Sequence, residues 1–298
     1  MYVIGILAAF ISPASHSLSN IFDAYITGNL FKKISTTIFY ANITNALGFL
    51  ALLLIGPIHL LPANIVPYAI LIGLINVGYL FPYYSALRCA DTSIVAAMFS
   101  LDKIFIPFWA YLIVDEVMNI SQYVGLGMIV LFSLILNIDD PKKIKINKCF
   151  WLMLLVAVML SFEGTLYKRI LQESDWISTA FWCSILTFVL RWGVLFFSPM
   201  RQDIVQNFPT YKANFSKFCF IEIFDQLGNF GPVFALSIIP VVVEAGINST
   251  QPVFVIIYGF ILAKLWGNKF KEKLSHQEII KKMMCFVFIG IGVILVIG

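Results

Sequence analysis

Seven ionisable side chains fall inside long apolar runs of this 298-residue sequence: Asp102, Lys103, Glu163, Arg191, Glu222, Asp225 and Glu244. A charge at the centre of a membrane helix costs roughly 2.5–3.5 kcal/mol on insertion scales, so each one marks a functional position by default. Five acids against two bases give an interior that is negative when all are ionised. Such an interior suits a cationic or zwitterionic solute, or a carboxylate that exchanges a proton with its surroundings.

Helical spacing groups these residues with polar neighbours. Glu244, Asn248 and Gln251 stand at i, i+4 and i+7, on one face of a helix, just ahead of Pro252, whose missing N–H frees a carbonyl one turn back. That stripe reads either as a solute cradle or as an interhelical hydrogen-bond seam. Glu222, Asp225 and Asn229 share another face, with Gln226 beside them, ahead of Gly228 and Pro232; Glu222 is placed nearer an interface and Asp225 deeper. Asp102 and Lys103 are adjacent, about 100° apart around a helix, which predicts different neighbours for the two and an ion pair of Lys103 with Glu163 or Glu244. Arg191 has a stem long enough to snorkel to an interface. Ser12, His16, Ser19 and Asp23 form a polar line in which His16 is either a proton shuttle or a packing group. Tyr79, Phe81, Tyr83 and Tyr84 surround Pro82, where ring faces facing a cavity attract cations, whereas Trp109, Tyr111, Trp176 and Trp266 suit an interfacial belt. The expected binding set is Glu244, Asn248, Gln251, Asp225, Asn229, Glu163, Tyr79, Tyr83, Asp102 and Lys103. Glu244, Asp225 and His16 are the candidates for proton coupling.

The elements that must position these groups are membrane helices. The sequence is 60% hydrophobic and 12% charged, with a mean hydropathy of +0.90, against roughly half apolar and a quarter charged in soluble domains. Apolar segments run at 2–23, 35–56, 65–86, 92–114, 120–138, 149–167, 176–198, 217–237, 241–263 and 282–298, each near the roughly 20 residues that cross a bilayer. These runs are continuous, unlike the alternating stretches of about 10 residues in an outer-membrane barrel. Breakers mark the joints: Gly56-Pro57, Asp139-Asp140-Pro141 and Ser198-Pro199. The stretches 199–216 and 264–281 read as loops, the second with a short interfacial helix. The fold class is therefore an all-α integral membrane protein of ten spans, and little chain is left for a soluble catalytic domain.

Several chemistries are unsupported. Cys89, Cys149, Cys183, Cys219 and Cys285 are an odd, scattered set without CxxC spacing, expected to be free buried thiols rather than a disulfide framework or a zinc site. No GxxxxGK[ST], HExxH or GxSxG motif occurs, so neither a catalytic residue, a metal nor a cofactor is expected. The net charge of +4 does not argue for nucleic acid. The expected partners are a small-molecule solute and membrane lipids; a monomer suffices, and a homodimer stays open.

The chain also repeats itself. Shifted by 149 residues, Ala86-Leu87 meets Ala235-Leu236, Ala96 meets Ala245, Ser100 meets Ser249, Asp102 meets Gln251 and Phe105 meets Phe254. The GxxxP of Gly78 to Pro82 matches that of Gly228 to Pro232, Phe39-Tyr40 matches Phe181-Trp182, and a later insertion brings Glu116 onto Glu272. Two units of five helices follow, 1–138 and 149–298, joined by a basic loop at 139–148. Five is odd, so the second unit enters the membrane from the opposite side, the inverted-repeat plan of many secondary transporters.

The order AL…TS…A…S…P…E in residues 86–116, together with the matching segment from Ala235 onward, resembles the EamA-like part of the drug/metabolite transporter superfamily over nearly the whole chain. The resemblance implies ten helices in two inverted five-helix repeats, alternating access, and a central cavity lined by helices 1, 3, 4, 6, 8 and 9. Asp102-Lys103 departs from the family, whose members are apolar or hydroxylated there, and a charged insertion separates Ala263 from Glu272. The expected function is secondary transport of an amino acid or another zwitterionic or amine-bearing metabolite across an inner or plasma membrane, proton-coupled or by exchange. Carriage of anionic nucleotides or sugar phosphates is the alternative, and an intramembrane lipid-modifying enzyme the alternative from another class. Loops after odd-numbered spans carry 16 Lys/Arg against 2 in the rest of the connections and termini, which places both termini outside, whereas the resemblance implies termini inside.

Overall fold

A computed structural model describes residues 1–89, 95, 98–137, 148–266 and 276–298. The joint at 139–147, Ala96 and Glu272 of the repeat, and the side chains of Asp23 and Trp266 lie outside the described residues. Among those described, every regular element is helical. The first half contains α1 (Tyr2–Ala9), α2 (Ile11–Asn29), α3 (Ile34–Leu52), α4 (Val66–Gly78), α5 (Leu80–Leu87), α6 (Asp102–Val114) and α7 (Ile120–Asn137). The second contains α8 (Lys148–Leu171), α9 (Trp176–Arg191) with a 3-10 turn at Trp192–Phe196, α10 (Ser198–Leu236), α11 (Val241–Asn248), α12 (Gln251–Trp266) and α13 (His276–Ile297). Six helical stretches among the described residues are long and apolar enough to cross a membrane: Tyr2–Phe22, Val66–Leu87, Lys148–Leu171, Trp176–Phe196, Val241–Gly259 and Ile280–Ile297. Large apolar side chains such as Leu50, Phe108, Leu131, Trp151, Leu155 and Ile223 are exposed, an outer surface that only lipid satisfies.

Three of those stretches are interrupted, each just before a proline. The α1/α2 joint at Phe10 precedes Pro13, the α4/α5 joint at Tyr79 precedes Pro82, and the α11/α12 joint at Ser249-Thr250 precedes Pro252. A proline offers no N–H, and its ring collides with the carbonyl four residues back, so the helix yields there. Tyr79 and Ser249 line the cavity at the second and third joints, and Ser12 lines it two residues beyond the first.

One joint differs from the sequence expectation. Residues 199–216 are not a loop but the first half of the 39-residue α10, about 58 Å long at 1.5 Å per residue and so longer than the hydrocarbon core. Pro199 sits in its first turn, where the missing N–H costs nothing. The polar extension is held by its buried face: Tyr211 stacks on Tyr40 at 4.3 Å between ring centroids, the Tyr40 hydroxyl donates to the Ile204 carbonyl, and the Thr36 hydroxyl donates to Asp203.

The packing partners fall into matched pairs when the halves are exchanged. Helix α2 against α10 has its counterpart in α8 against α4 and α5; α3 against α10 in α9 against α4; α6 against α8 in α12 against α2. The contacts α7 with α13 and α3 with α9 are their own counterparts.

Helices α7 and α13 touch backbone to backbone. A Cβ on Gly125 would stand 2.6 Å from the Gly292 carbonyl oxygen, and one on Gly292 2.8 Å from that of Gly125; small residues permit this approach in membranes. Gly292→Leu is expected to destabilise the chain by about 1–3 kcal/mol through overpacking and to lower its melting temperature in detergent. Gly290→Leu, at a position with open space around it, is the control and should melt like the wild type.

Candidate functional site

A cavity of about 260 Å³ lies between the halves. It receives side chains from the first, third, fourth, sixth, seventh, eighth and ninth spans and from α3. Asp102, Lys103, Glu163, Asp225 and Glu244 line it, as do Asn229, Asn248, Gln251, Tyr79, Tyr83 and His16. The ten residues of the expected binding set, with His16, thus line one cavity.

Lys103 does not reach Glu163 or Glu244 as the sequence suggested. Its ammonium donates to its own neighbour, Nζ to Oδ2 of Asp102 at 2.6 Å, with both residues buried. The flexible lysine stem overcomes the 100° offset, and Asp102 stands in the first turn of α6, where the chain has only begun to follow helical directions. Asp102 keeps one oxygen, Oδ1, and Glu244 one oxygen, Oε1, buried without a hydrogen-bond partner among the described residues. An unpaired buried carboxylate oxygen is costly, and two in one cavity amount to unused acceptor capacity.

The first span meets the eighth and ninth across this space. His16 Nδ1 lies 3.7 Å from Asp225 Oδ1, an ion pair when the imidazole is protonated. The ring rests against Gly228, where a Cβ would come within 2.6 Å of it, so the residue before Asn229 must be small. The Ser12 hydroxyl donates to Asn248 Oδ1 at 3.2 Å, and Ser17 donates to the Gln251 carbonyl at 2.8 Å, beside the α11/α12 break. Part of the Glu244–Asn248–Gln251 stripe is therefore also an interhelical seam. Ser19 caps back onto the His16 carbonyl instead of facing the cavity.

Two further acids are held by amides. Glu222 is only 5% exposed, which corrects its placement near an interface: Oε1 accepts from Asn45 at 3.0 Å and from Gln226, whose side chain occupies the space left by Gly48. Glu163 Oε1 accepts from Asn76 Nδ2 at 2.6 Å. Arg191 does not snorkel outward; it lines the cavity and donates to the Asn76 carbonyl at 3.4 Å. Tyr83 donates to Asn20 Oδ1 at 3.1 Å and tilts against Tyr79 with centroids 6.4 Å apart. Trp109 is inside rather than in a belt, packed on Phe162 at 4.7 Å.

Residues that the sequence did not single out complete the wall: Asn20, Asn45, Asn76, Tyr167, Ser184 and Thr187. Among the described residues no cluster of three or more His, Cys, Asp or Glu is placed to hold a metal.

Below the cavity an apolar plug, including Ala8, Ile106, Ala110, Leu236, Ile239 and Val241, is fastened by two charges. Glu116, just beyond α6, accepts from the Val241 N–H at 3.0 and 3.3 Å through its two oxygens, capping α11 from the α6–α7 connection. Lys168 donates to the carbonyls of Leu236 and Ile239 at 2.8 Å each. Burial pushes the Glu116 carboxyl above its ordinary value, against the opposing effects of Lys168 and the backbone N–H groups of Val241 and Val242. At the other end, Cys89 and Cys149 are joined in a disulfide, contrary to the expectation of five free thiols; the end of α5 and the start of α8 bring them together. Cys183, Cys219 and Cys285 are free.

A family model for the EamA-like transporter family matches residues 3–138. Over those residues, just under half of the chain, the sequence is similar to that family. This family lies within the drug/metabolite transporter superfamily, and with it the chain is an integral, multi-pass membrane protein. A solved crystal structure is similar over 98% of this chain and 97% of the other, with a TM-score of 0.63 at 16% identity; at that identity the likeness concerns the fold alone. None of the curated proteins matches the chain. For the EamA-like half, Tyr79, Tyr83, Asp102 and Lys103 are its contribution to the cavity wall, together with His16.

Proposed function

We propose that the protein is a secondary carrier that moves an amino acid, or another zwitterionic or cationic amine-bearing metabolite, across the inner or plasma membrane by alternating access, coupled to protons or to exchange. The observation that carries this reading is the cavity itself, in which five acidic side chains face one lysine and one arginine. Its volume of about 260 Å³ falls just below the roughly 300–1,000 Å³ of drug-sized ligand sites, which favours a small metabolite over a nucleotide or nucleotide sugar. The matched contacts of the two halves support ten spans in two inverted units, and proline-interrupted spans at the cavity are the discontinuous helices such carriers use to hold solutes. Glu244, Asp225 and His16 are the groups placed to exchange a proton.

A thermal-shift screen of purified protein against amino acids, cationic metabolites, sugar phosphates and nucleotide sugars tests the solute class, because a ligand of the folded state stabilises it in proportion to occupancy. Stabilisation by an amine-bearing solute is expected. Stabilisation by phosphates alone contradicts the reading, and turnover of vesicle lipid would make the protein an enzyme.

Orientation in this account follows the 16 to 2 distribution of basic residues, with both termini outside. A periplasmic-type reporter fused after Gly298 should then be active. The Cys89–Cys149 pair faces the basic-loop side, so in cells it should be reduced and open to alkylation. A reporter active only in the cytoplasm, with Cys89 and Cys149 oxidised in cells, reverses the orientation.

A further inference from the structure

Helix α9 presents a second polar stripe to the cavity. Ser184, Thr187 and Arg191 stand at i, i+3 and i+7, and all three line the space. Among the described residues neither the Ser184 nor the Thr187 hydroxyl has a hydrogen-bond partner. The Arg191 Nε is buried without a partner, its one contact to Asn76 is long at 3.4 Å, and no ion pair among the described residues includes it.

A guanidinium has five N–H donors and keeps its charge in proteins. Arg191 therefore brings to the cavity wall a full positive charge and unspent donors. Glu163 and Glu222 are near enough to feel its charge, yet among the described residues neither takes its donors: Glu163 accepts from Asn76, and Glu222 from Asn45 and Gln226. The other cation of the cavity is in the opposite condition, since Lys103 is engaged with Asp102 at 2.6 Å.

We infer that Ser184, Thr187 and Arg191 form the subsite for the carboxylate of the solute, and that Glu244 and Asp225 on the facing helices receive its ammonium group. A carboxylate offers two oxygens to the planar fork of an arginine, and the two hydroxyls add donors along the same face. The assignment rests on the zwitterionic reading and refines it. Arg191 takes the role for which Lys103 would otherwise be the candidate.

The test compares α-amino acids with their α-amides, in which the carboxylate is replaced by a neutral group, as stabilisers of the purified full-length chain. In the wild type, an amino acid that binds should do so at least tenfold more tightly than its amide. Arg191→Gln should bring acid and amide within about twofold of each other, with Arg191→Lys in between. Equal binding of acid and amide to the wild type, or a tenfold preference surviving in Arg191→Gln, overturns the inference. If Arg191→Gln does not fold, Thr187→Val carries the test: weaker binding of the acid with unchanged binding of the amide supports the subsite, and an equal effect on both overturns it. Wild-type protein that ignores amino acids but is stabilised by succinate or inorganic phosphate, with the effect lost in Arg191→Gln, removes the amine-bearing solute and leaves the anion subsite standing. Amino acid binding independent of Arg191, Thr187 and Ser184 does the reverse.

Discussion

Glu244→Gln is expected to reduce solute affinity about tenfold to a hundredfold and to abolish concentrative uptake in proteoliposomes. Glu244 is 7% exposed on α11, and its Oε1 has no hydrogen-bond partner among the described residues. A hydrogen bond to a charged group contributes roughly 1.5–3 kcal/mol, and each 1.4 kcal/mol is a factor of ten in binding. Glutamine keeps the shape, so the fold should survive and the loss should appear in affinity and in the response to a pH gradient. Asp225→Asn should act in the same direction but less strongly, because Asp225 is more exposed and shares its charge with His16 at 3.7 Å. Uptake with unchanged pH dependence in both variants would remove proton coupling from the account.

Glu116→Ala should open the plugged end of the cavity. The carboxylate caps Val241 at the start of α11, and loss of a helix cap costs about 0.5–2 kcal/mol, which shifts a two-state equilibrium by up to about 30-fold. With all five native cysteines, Cys89, Cys149, Cys183, Cys219 and Cys285, replaced by serine, the labelling of Leu236→Cys by a membrane-impermeant maleimide should rise severalfold when Glu116 is also removed. The pH response has a definite sign. Burial holds the Glu116 carboxyl above its ordinary value in the plugged state, so the protonated form is favoured there. Acidification from neutrality through that raised value should tighten the plug, and alkalinisation should loosen it. Glu116→Gln, which retains an acceptor for Val241 without a titrating proton, should show no such trend once the intrinsic reactivity of the thiol is subtracted. A labelling rate that is insensitive to Glu116 would contradict the clasp.

The residues of the cavity were legible where charge defied its surroundings. Glu163, Asp225 and Glu244 stand in apolar runs, and the expense of such burial distinguishes them without a structure. Asn45, Asn76, Ser184 and Thr187 carry no such signal, because an uncharged polar group in a span serves a packing seam equally well. Their role emerges only when α3, α4 and α9 are seen around the same space. Arg191 and Glu222 were visible but misplaced toward an interface, since hydropathy reports depth along a helix poorly for long side chains. Lys103 failed for a different reason: its pairing with Asp102 depends on a rotamer and on a helix start. The extension of α10 was obscured by its polarity. Its stability comes from contacts with Thr36 and Tyr40 some 160 residues earlier, which no local pattern records. The disulfide likewise depends on which helix ends become neighbours.

Counterflow in proteoliposomes tests the central claim most directly. Vesicles preloaded with a mixture of unlabelled amino acids and polyamines are diluted into the same solutes at trace, labelled concentration, without ATP. The account predicts transient accumulation of at least one amine-bearing solute by the wild type and none by Glu244→Gln, with both proteins equally folded. Accumulation of labelled sugar phosphates alone, or equal accumulation by wild type and Glu244→Gln, would contradict it.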